Sequence, residues 1–342
     1  MILVTGNAGY IGMVMTRFLR DRSYEVVGLD SMYYGGCELY PEEVLPNKQI
    51  RKDIRELEYD DLDGVSAVIH LAALSNDPLG EINPSLTDDI NFKASLRLAQ
   101  MAKERGVERY ILSSSCSMYG IASDNSPLTE TGELNPITAY AKAKVKAEKE
   151  IAKLADDSFH PVFMRNATVY GVSPSLRLCL VVNNLVAWAY LTGKVAIMSD
   201  GTPWRPIIHV EDLCRAFAAA LEAPVENIHN QALNVGLDQE NFQVKDIAIQ
   251  VEKIVPRCTL EILNKTGPDE RTYRVDFSKI TIVLPDFRPQ WNLQKGILEL
   301  YEAYKRFGLV EQDLHSSKYF RVRWIKQLLE NRFLDTELRF MN

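Results

Sequence analysis

Tyr140 and Lys144 stand four residues apart in NPITAYAKAKVKAEKEIAKL, and the chain opens on MILVTGNAGYIG, an apolar run followed by a glycine turn. Four residues is about one helical turn, so a phenol and an ammonium share a face. A tyrosine in water has a pKa near ~10 and is a poor base at neutral pH. A neighbouring ammonium favours the phenolate and brings that value down. Such a pair can take a proton from an alcohol or sugar hydroxyl while hydride leaves the same carbon. A small hydroxyl nearby should orient the oxygen, and ILSSSCSMYG offers Ser113, Ser114 and Ser115. A Tyr and a Lys four apart also suit the solvated face of any lysine-rich helix. The pair gains weight because the glycine turn and the serine run both lie upstream of it.

Gly6, Gly9 and Gly12 follow a predicted strand, and Tyr10 and Ile11 open a predicted helix. The first glycine permits a tight turn, the second a close backbone approach to a pyrophosphate, and the third close packing of helix on sheet. Backbone N–H groups and the helix dipole then face the phosphates. The next strand, EVVGLD, ends in Asp30, 18 residues past Gly12. A carboxylate there accepts from the adenine ribose hydroxyls and repels a 2′-phosphate, which favours NAD over NADP. Asp53, after the short strand QIRK, is placed to face the adenine.

These groups need a frame that brings strand ends together. Short apolar runs (ILVTG, EVVGLD, AVIHLAA, RYILSSS, PVFMRNA) alternate with helical patterns through the first half. Ile11, Met15, Phe18 and Leu19 repeat at helical spacing. Such alternation predicts an α/β fold, a Rossmann doubly wound parallel sheet, with a smaller C-terminal α/β substrate domain. The expected division is 1–171 with 205–236 for the dinucleotide domain and 172–204 with 237–342 for the substrate domain. IIHV and ALNVG are both expected to return to the main sheet. The tail after Ser316 is an amphipathic helix candidate, packing on the body or on a second subunit, with a membrane-surface role as the alternative.

The 342 residues carry a net charge of −7, which argues against a nucleic-acid surface. An anionic substrate must therefore meet locally placed arginines. No apolar run approaches the ~20 residues of a membrane helix, and the strand beginning at residue 2 leaves no room for a signal peptide. The five cysteines are scattered without metal-ligand spacing, so a reduced cytoplasmic protein without a metal is expected. His70 and His209 fit structural roles.

On GNAGYIG, Asp30, the pair Asp53–Ile54, HLAALS, Asn91, SSSCSMYG, YAKAK, RNATVYG, GTPWRPIIHVEDL, NVG and DERTYRVDFSK, the chain resembles the extended short-chain dehydrogenase/reductases, specifically the nucleotide-sugar epimerases and dehydratases. The resemblance covers nearly the whole chain. It implies catalysis by Ser115, Tyr140 and Lys144, with Ser115 the third serine of its run and 25 residues before the tyrosine. It implies that Leu71, Ala72, Ala73, Ser75 and Ser113 line the NAD, and that Lys144 also bonds the nicotinamide ribose. It implies a phosphate-binding role for Arg205, with Arg271 and Arg177 as further candidates, since guanidinium groups bond phosphate bidentately. Asn184 and Asp269 are candidates for the base or ribose. Family dehydratases carry an Asp–Glu pair directly after the Ser/Thr. Cys116 and Ser117 occupy those positions here, which leaves 4,6-dehydration unsupported. Thr168 stands where the family has an asparagine that contacts a sugar hydroxyl. ATVYGVSPSLR is similar to a subgroup that includes enzymes oxidising C4 of GDP-activated heptoses.

Three functions follow as expectations. The first is an NAD-dependent nucleotide-sugar epimerase acting through a transient 4-keto sugar, at C4. The second is a nucleotide-sugar C4 dehydrogenase or reductase with net redox. The third is a non-catalytic NAD-sensing protein, disfavoured by the retained Tyr/Lys pair. A homodimer through the helix bearing that pair is expected from the resemblance.

Overall fold

The computed structural model describes residues 1–75, 83–121, 126–263 and 271–341. Twelve strands are described: β1 (Ile2–Thr5), β2 (Val26–Asp30), β3 (Lys48–Arg51), β4 (Ala67–His70), β5 (Arg109–Ser115), β6 (His160–Asn166), β7 (Thr168–Tyr170), β8 (Lys194–Ile197), β9 (Trp204–His209), β10 (Gln231–Val235), β11 (Asn241–Gln243) and β12 (Thr259–Ile262). The longer helices are α1 (Tyr10–Arg20), α2 (Ala94–Glu104), α3 (Ala139–Ala152), α4 (Val181–Thr192), α5 (Val210–Glu222), α6 (Val244–Ile254), α7 (Leu293–Phe307) and α8 (Arg321–Glu330).

Seven strands form one sheet in the order β10-β6-β5-β4-β1-β2-β3, and every pairing in it is parallel. The apolar runs explain this. Successive side chains of a strand point to opposite faces, and in β1 Ile2 and Val4 enter one core while Leu3 enters the other. A strand buried on both faces needs helices on both, which is the doubly wound arrangement. Helices α1 and α5 cover one face through Val14, Met15, Phe18, Leu213 and Phe217. Helices α2 and α3 cover the other through Leu98, Ala102, Ala147 and Ile151. The strand order reverses at β1, so the crevice beyond the carboxyl ends of β1 and β4 is the switch point where ligands bind in such sheets.

ALNVG returns to this sheet as β10 beside β6. IIHV does not. It forms β9, which pairs in parallel with β7 and antiparallel with β11 in a separate three-stranded sheet. Only Ala167 separates β6 from β7, so the partner of Thr168–Tyr170 must lie off the main sheet. A third apolar cluster joins α4, α6 and α7 to Val195, Ile197 and Ile207. The tail packs on the body: Ile325, Leu334 and Leu338 are buried in the same core as β2 and β4. No helix among the described residues is long and apolar enough to cross a membrane.

Helix α3 is held from both ends of its catalytic stretch. Thr138 Oγ1 accepts from the Ala141 N–H at 3.2 Å, an N-cap that sets the phase of the first turn. Lower on the same face, Glu148 forms a buried ion pair with Arg165 of β6, Nη2 to Oε2 at 2.7 Å, with Nε bonding both carboxylate oxygens. Removing one partner of a buried pair strands the other charge, at about 3–5 kcal/mol. Glu148→Ala is expected to lose that amount in urea denaturation. Lys146→Ala, which breaks the exposed pair with Asp88, is expected to lose under ~1 kcal/mol.

Candidate active site

A cleft of about 690 Å³ opens at the switch point. Its walls combine the glycine turn, the ends of β2, β4, β5 and β6, the start of α3, the loop before α4, and residues from β9 and the tail.

The glycine turn has the shape a dinucleotide requires. Gly6 has φ +73°, and a Cβ there would meet the Ala72 nitrogen at 2.8 Å. A Cβ on Gly12 would fall on the Gly6 carbonyl oxygen, so only glycine lets α1 approach the strand this closely. Gly9 caps α1 without a side-chain hydrogen bond, and the first turn holds no acidic residue. This helix N-terminus therefore faces the cleft as an anion site. Asp30 Oδ2 accepts from the Ala8 N–H at 3.1 Å and Oδ1 from the Met32 N–H at 2.7 Å. Burial pushes its carboxyl up, against the pull of those two N–H bonds. Each oxygen retains a lone pair for a ribose hydroxyl. These features fit NAD.

The other residues expected around the cofactor divide. Ile11, Ile54, Leu71, Ala72, Ala73, Ser75 and Ser113 line the cleft. Tyr10 reaches it at the start of α1, but its hydroxyl is turned into the core and donates to the Gly171 carbonyl at 2.7 Å. Asp53 also lines the cleft, yet its carboxylate is already paired with Arg55. Oδ1 accepts from the Arg55 backbone N–H and Nε, and Oδ2 from Arg55 Nη2. Burial works against its ionisation, but Arg55 holds the carboxyl below its usual range. It shapes the floor, and Oδ2 keeps a lone pair for a further donor. Asn91 stands behind the wall, where it exchanges two hydrogen bonds with the Leu74 backbone, at 2.8 and 3.1 Å. It fixes the loop that carries Leu71–Ser75. Tyr33 and Tyr34, which line the same end, carried no motif signal.

The chemical half gathers on β5 and α3. Lys144 is 1% exposed, and its Nζ donates to the Ser113 carbonyl at 2.7 Å and lies 5.9 Å from the centre of the Tyr140 ring. Desolvation brings the ammonium down to about 8, against the opposing charge of Glu148. Ser115 Oγ accepts from the Ser117 N–H at 3.1 Å and bonds Ser117 Oγ at 2.9 Å. Ser115, Tyr140 and Lys144 share the cleft with the glycine turn. Asn166, two residues before Thr168 in RNATVYG, was not singled out by its motif. Its Nδ2 donates to Ser113 Oγ at 2.9 Å, and its buried Oδ1 has no hydrogen-bond partner in the structure. Cys116 faces inward. Its thiol donates to the Arg165 carbonyl at 3.0 Å, and burial pushes it well above the ordinary thiol range. His70 is spent on Thr5 and Ser95, and burial brings it down to about 3. His209 bonds Glu299 at 2.8 Å.

Thr168, Arg205 and Arg271 line the same cleft, Thr168 from β7 and Arg205 from β9. Arg205 Nη1 donates to the Trp204 and Arg271 carbonyls. Arg177 is no surface charge: it is 8% exposed and donates to Ser75 Oγ at 3.2 Å. Asn184 is not part of the cleft wall and donates to the Leu178 carbonyl at 2.8 Å. Asp269 lies outside the described residues. Among the described residues no cluster of His, Cys, Asp and Glu could hold a metal.

A parallel-sheet switch point with a glycine turn, a ribose-type aspartate and a Ser/Tyr/Lys set defines a dinucleotide-dependent short-chain enzyme. The sequence model of the NAD dependent epimerase/dehydratase family matches residues 2–236, and the chain belongs to that family. It is 27% identical over 319 residues to the UDP-glucuronate 4-epimerase of Thermodesulfobacterium geofontis, covering 86% of this chain and 93% of that one. It is 30% identical over 308 residues to the UDP-glucose 4-epimerase of Lactobacillus helveticus, covering 83% and 90%. The structure of UDP-glucuronic acid 4-epimerase from Bacillus cereus, in complex with UDP-glucuronic acid and NAD, matches with a TM-score of 0.76 at 26% identity, covering 89% of this chain and 99% of that one. An NAD-dependent NDP-hexosamine 5,6-dehydratase of tunicamycin biosynthesis matches with a TM-score of 0.79 at 26% identity, covering 89% and 97%.

The lowered ammonium has a kinetic consequence. If Tyr140 accepts a substrate proton beside Lys144, the active form has lost one proton from the two groups together. With the ammonium at about 8, that loss falls at about pH 8 or below, so kcat is expected to rise with pH and level off near there. Lys144→Met leaves a lone phenol, and the rising limb is expected to move toward ~10. A pH–rate profile of the two proteins checks this, and an unmoved limb would remove Lys144 from the proton chemistry.

Proposed function

We propose that this chain is a nucleotide-sugar epimerase that inverts C4 through a transient 4-ketone. The observation that carries the proposal is one cleft whose walls hold Ser115, Tyr140 and Lys144 together with the glycine turn and with Arg205 and Arg271. Bound NAD supplies the hydride acceptor and returns the hydride. Tyr140 takes the C4 hydroxyl proton, and the Lys144 charge favours the phenolate it takes it with. Ser115 Oγ orients the C4 oxygen. The two guanidinium groups answer the substrate diphosphate, which a protein of net charge −7 must bind locally. The 4-epimerases among the relatives support this reading.

Elimination chemistry is disfavoured by the acids of the cleft. Among its described lining residues only Asp30 and Asp53 are acidic, and both belong to the ribose end. Cys116 and Ser117 offer no carboxylate beside Ser115. The 5,6-dehydratase relative shows that the fold admits elimination in another chain, not that this chain has the groups for it.

The test is a set of UDP-, GDP-, CDP- and dTDP-sugars incubated with the purified enzyme and followed by proton NMR at C4. Interconversion of one epimer pair without net NADH is expected. Tyr140→Phe is expected to lower kcat by ~10²–10⁴-fold, the scale of a general acid–base group. Accumulation of bound NADH with no epimer formed would sink the proposal in favour of net C4 dehydrogenation.

A further inference from the structure

Two arginines of the cleft are buried with no carboxylate counter-charge among the described residues. Arg177 is 8% exposed and Arg321 3% exposed, and both line the cleft. Arg177 donates to Ser75 Oγ and its carbonyl and, at 3.6 Å, to Cys179 Sγ. Its Nε is buried without a partner. Arg321, the first residue of α8, donates from Nη2 to Ser175 Oγ at 2.6 Å and to the Ser175 carbonyl at 3.0 Å. Its guanidinium lies 4.0 Å over the Tyr34 ring, and its Nη1 is buried without a partner. Neither arginine is in an ion pair with a carboxylate among the described residues. Desolvation, and then the charge of Arg177, pull the Arg321 guanidinium below its ordinary range. The anionic candidate beside them is Cys179. Desolvation opposes its ionisation while the guanidiniums favour it, and the thiol is held below its usual value. One thiolate cannot balance two cations, and buried charges require partners.

The position of the pair indicates which anion is missing. The loop that carries Arg177 is tied to the start of α1, where Ser173 Oγ donates to the Tyr10 carbonyl at 2.7 Å. Arg321 is close enough to Asp30 for its charge to act on that carboxylate. Arg177 bonds Ser75, on the loop after β4. The pair is therefore tied to the start of α1, the loop after β4 and the aspartate of β2. The tail that brings Arg321 there is anchored independently. Trp324 Nε1 donates to the Tyr33 carbonyl at 2.7 Å, the Tyr33 hydroxyl donates to the Leu338 carbonyl at 2.6 Å, and Arg55 Nη2 donates to the Glu337 carbonyl at 2.8 Å.

We propose that Arg177 and Arg321 form a guanidinium pair for the pyrophosphate of the bound dinucleotide, so that the C-terminal segment is part of the cofactor site. The glycine turn supplies N–H groups from one side, and the pair supplies charge from the other. Two diphosphates bind in one cleft, and each has its own pair of arginines. NAD then holds the tail down as the tail holds NAD, a reciprocal coupling.

Titration calorimetry of the full-length protein, freed of copurified nucleotide, tests this with ADP, adenosine and UDP. Arg321→Gln and Arg177→Gln are each expected to weaken ADP at least tenfold and to leave adenosine and UDP within about twofold, because charge-assisted bonds to phosphate are lost and nothing else is. Arg321→Lys, which keeps the charge without the fork, is expected to fall between. In wild type, ADP but not adenosine is expected to slow alkylation of Cys179, and in Arg321→Gln that protection is expected to weaken. Equal losses for ADP and adenosine would make Arg321 a packing residue and overturn the proposal. Loss of UDP with ADP unchanged would assign the pair to the substrate and overturn it equally. If Arg321→Gln does not fold, Arg177→Gln and Arg321→Lys give the same comparison. None of these readouts depends on which sugar the enzyme turns over.

Discussion

The Lys144 ammonium is buried between α3 and β5 with a backbone carbonyl, that of Ser113, as its hydrogen-bond acceptor. A carbonyl anchors the cation without cancelling its charge, so the charge remains available to the phenol one turn earlier. Glu148 lies one turn later on the same helix and is the natural i,i+4 partner of a lysine. Arg165 takes both of its oxygens instead. The lysine thus stays uncompensated because a second buried pair is closed. The Lys144 bond also draws α3 onto the end of β5, which places Tyr140 beside the serine run. Cofactor wall and proton chemistry are joined at this contact, since the same strand end carries Ser113 and Ser115.

Charge is placed locally throughout the cleft. The chain as a whole is acidic, yet five arginines, Arg177, Arg205, Arg271, Arg321 and Arg323, line this one crevice. Acids in the lining are confined to the ribose end, where Asp30 holds two backbone N–H groups and Asp53 is paired with Arg55. The reacting end has a phenol, an ammonium, serines and an asparagine. Such a set can move a proton with a hydride, and among the described lining residues it has no carboxylate for removing water. This is the physical basis for preferring reversible oxidation at a carbinol, within a family whose members also carry out eliminations.

Much of this was legible in the chain. The glycine spacing, the aspartate at the end of EVVGLD and the alternation of apolar runs with helical patterns are local signals, and each appears where those signals predict. The misplacements have a common cause. Asp53 lines the cleft, but spacing does not encode that Arg55 takes three of its hydrogen bonds. Asn91 bonds both the N–H and the carbonyl of Leu74, and Asn184 donates to the Leu178 carbonyl. IIHV is as strand-like as ALNVG, and its apolar pattern cannot say which sheet it joins. Asn166 and Arg321 went unnoticed because an unremarkable asparagine and a tail arginine acquire meaning only from what surrounds them.

The sequence by itself determined the dinucleotide turn, the parallel sheet and the Tyr140–Lys144 spacing, since these rest on backbone sterics and on periods of two and 3.6 residues that neighbours along the chain specify. The tertiary structure alone decided that Lys144 is buried against a backbone carbonyl, that Arg177 bonds Ser75 on the loop after β4, and that the last helix brings a second guanidinium into the same cleft from 146 residues beyond its Ser175 partner. Those outcomes depend on burial and on which polar groups remain unpaired, and neither exists until distant segments have packed.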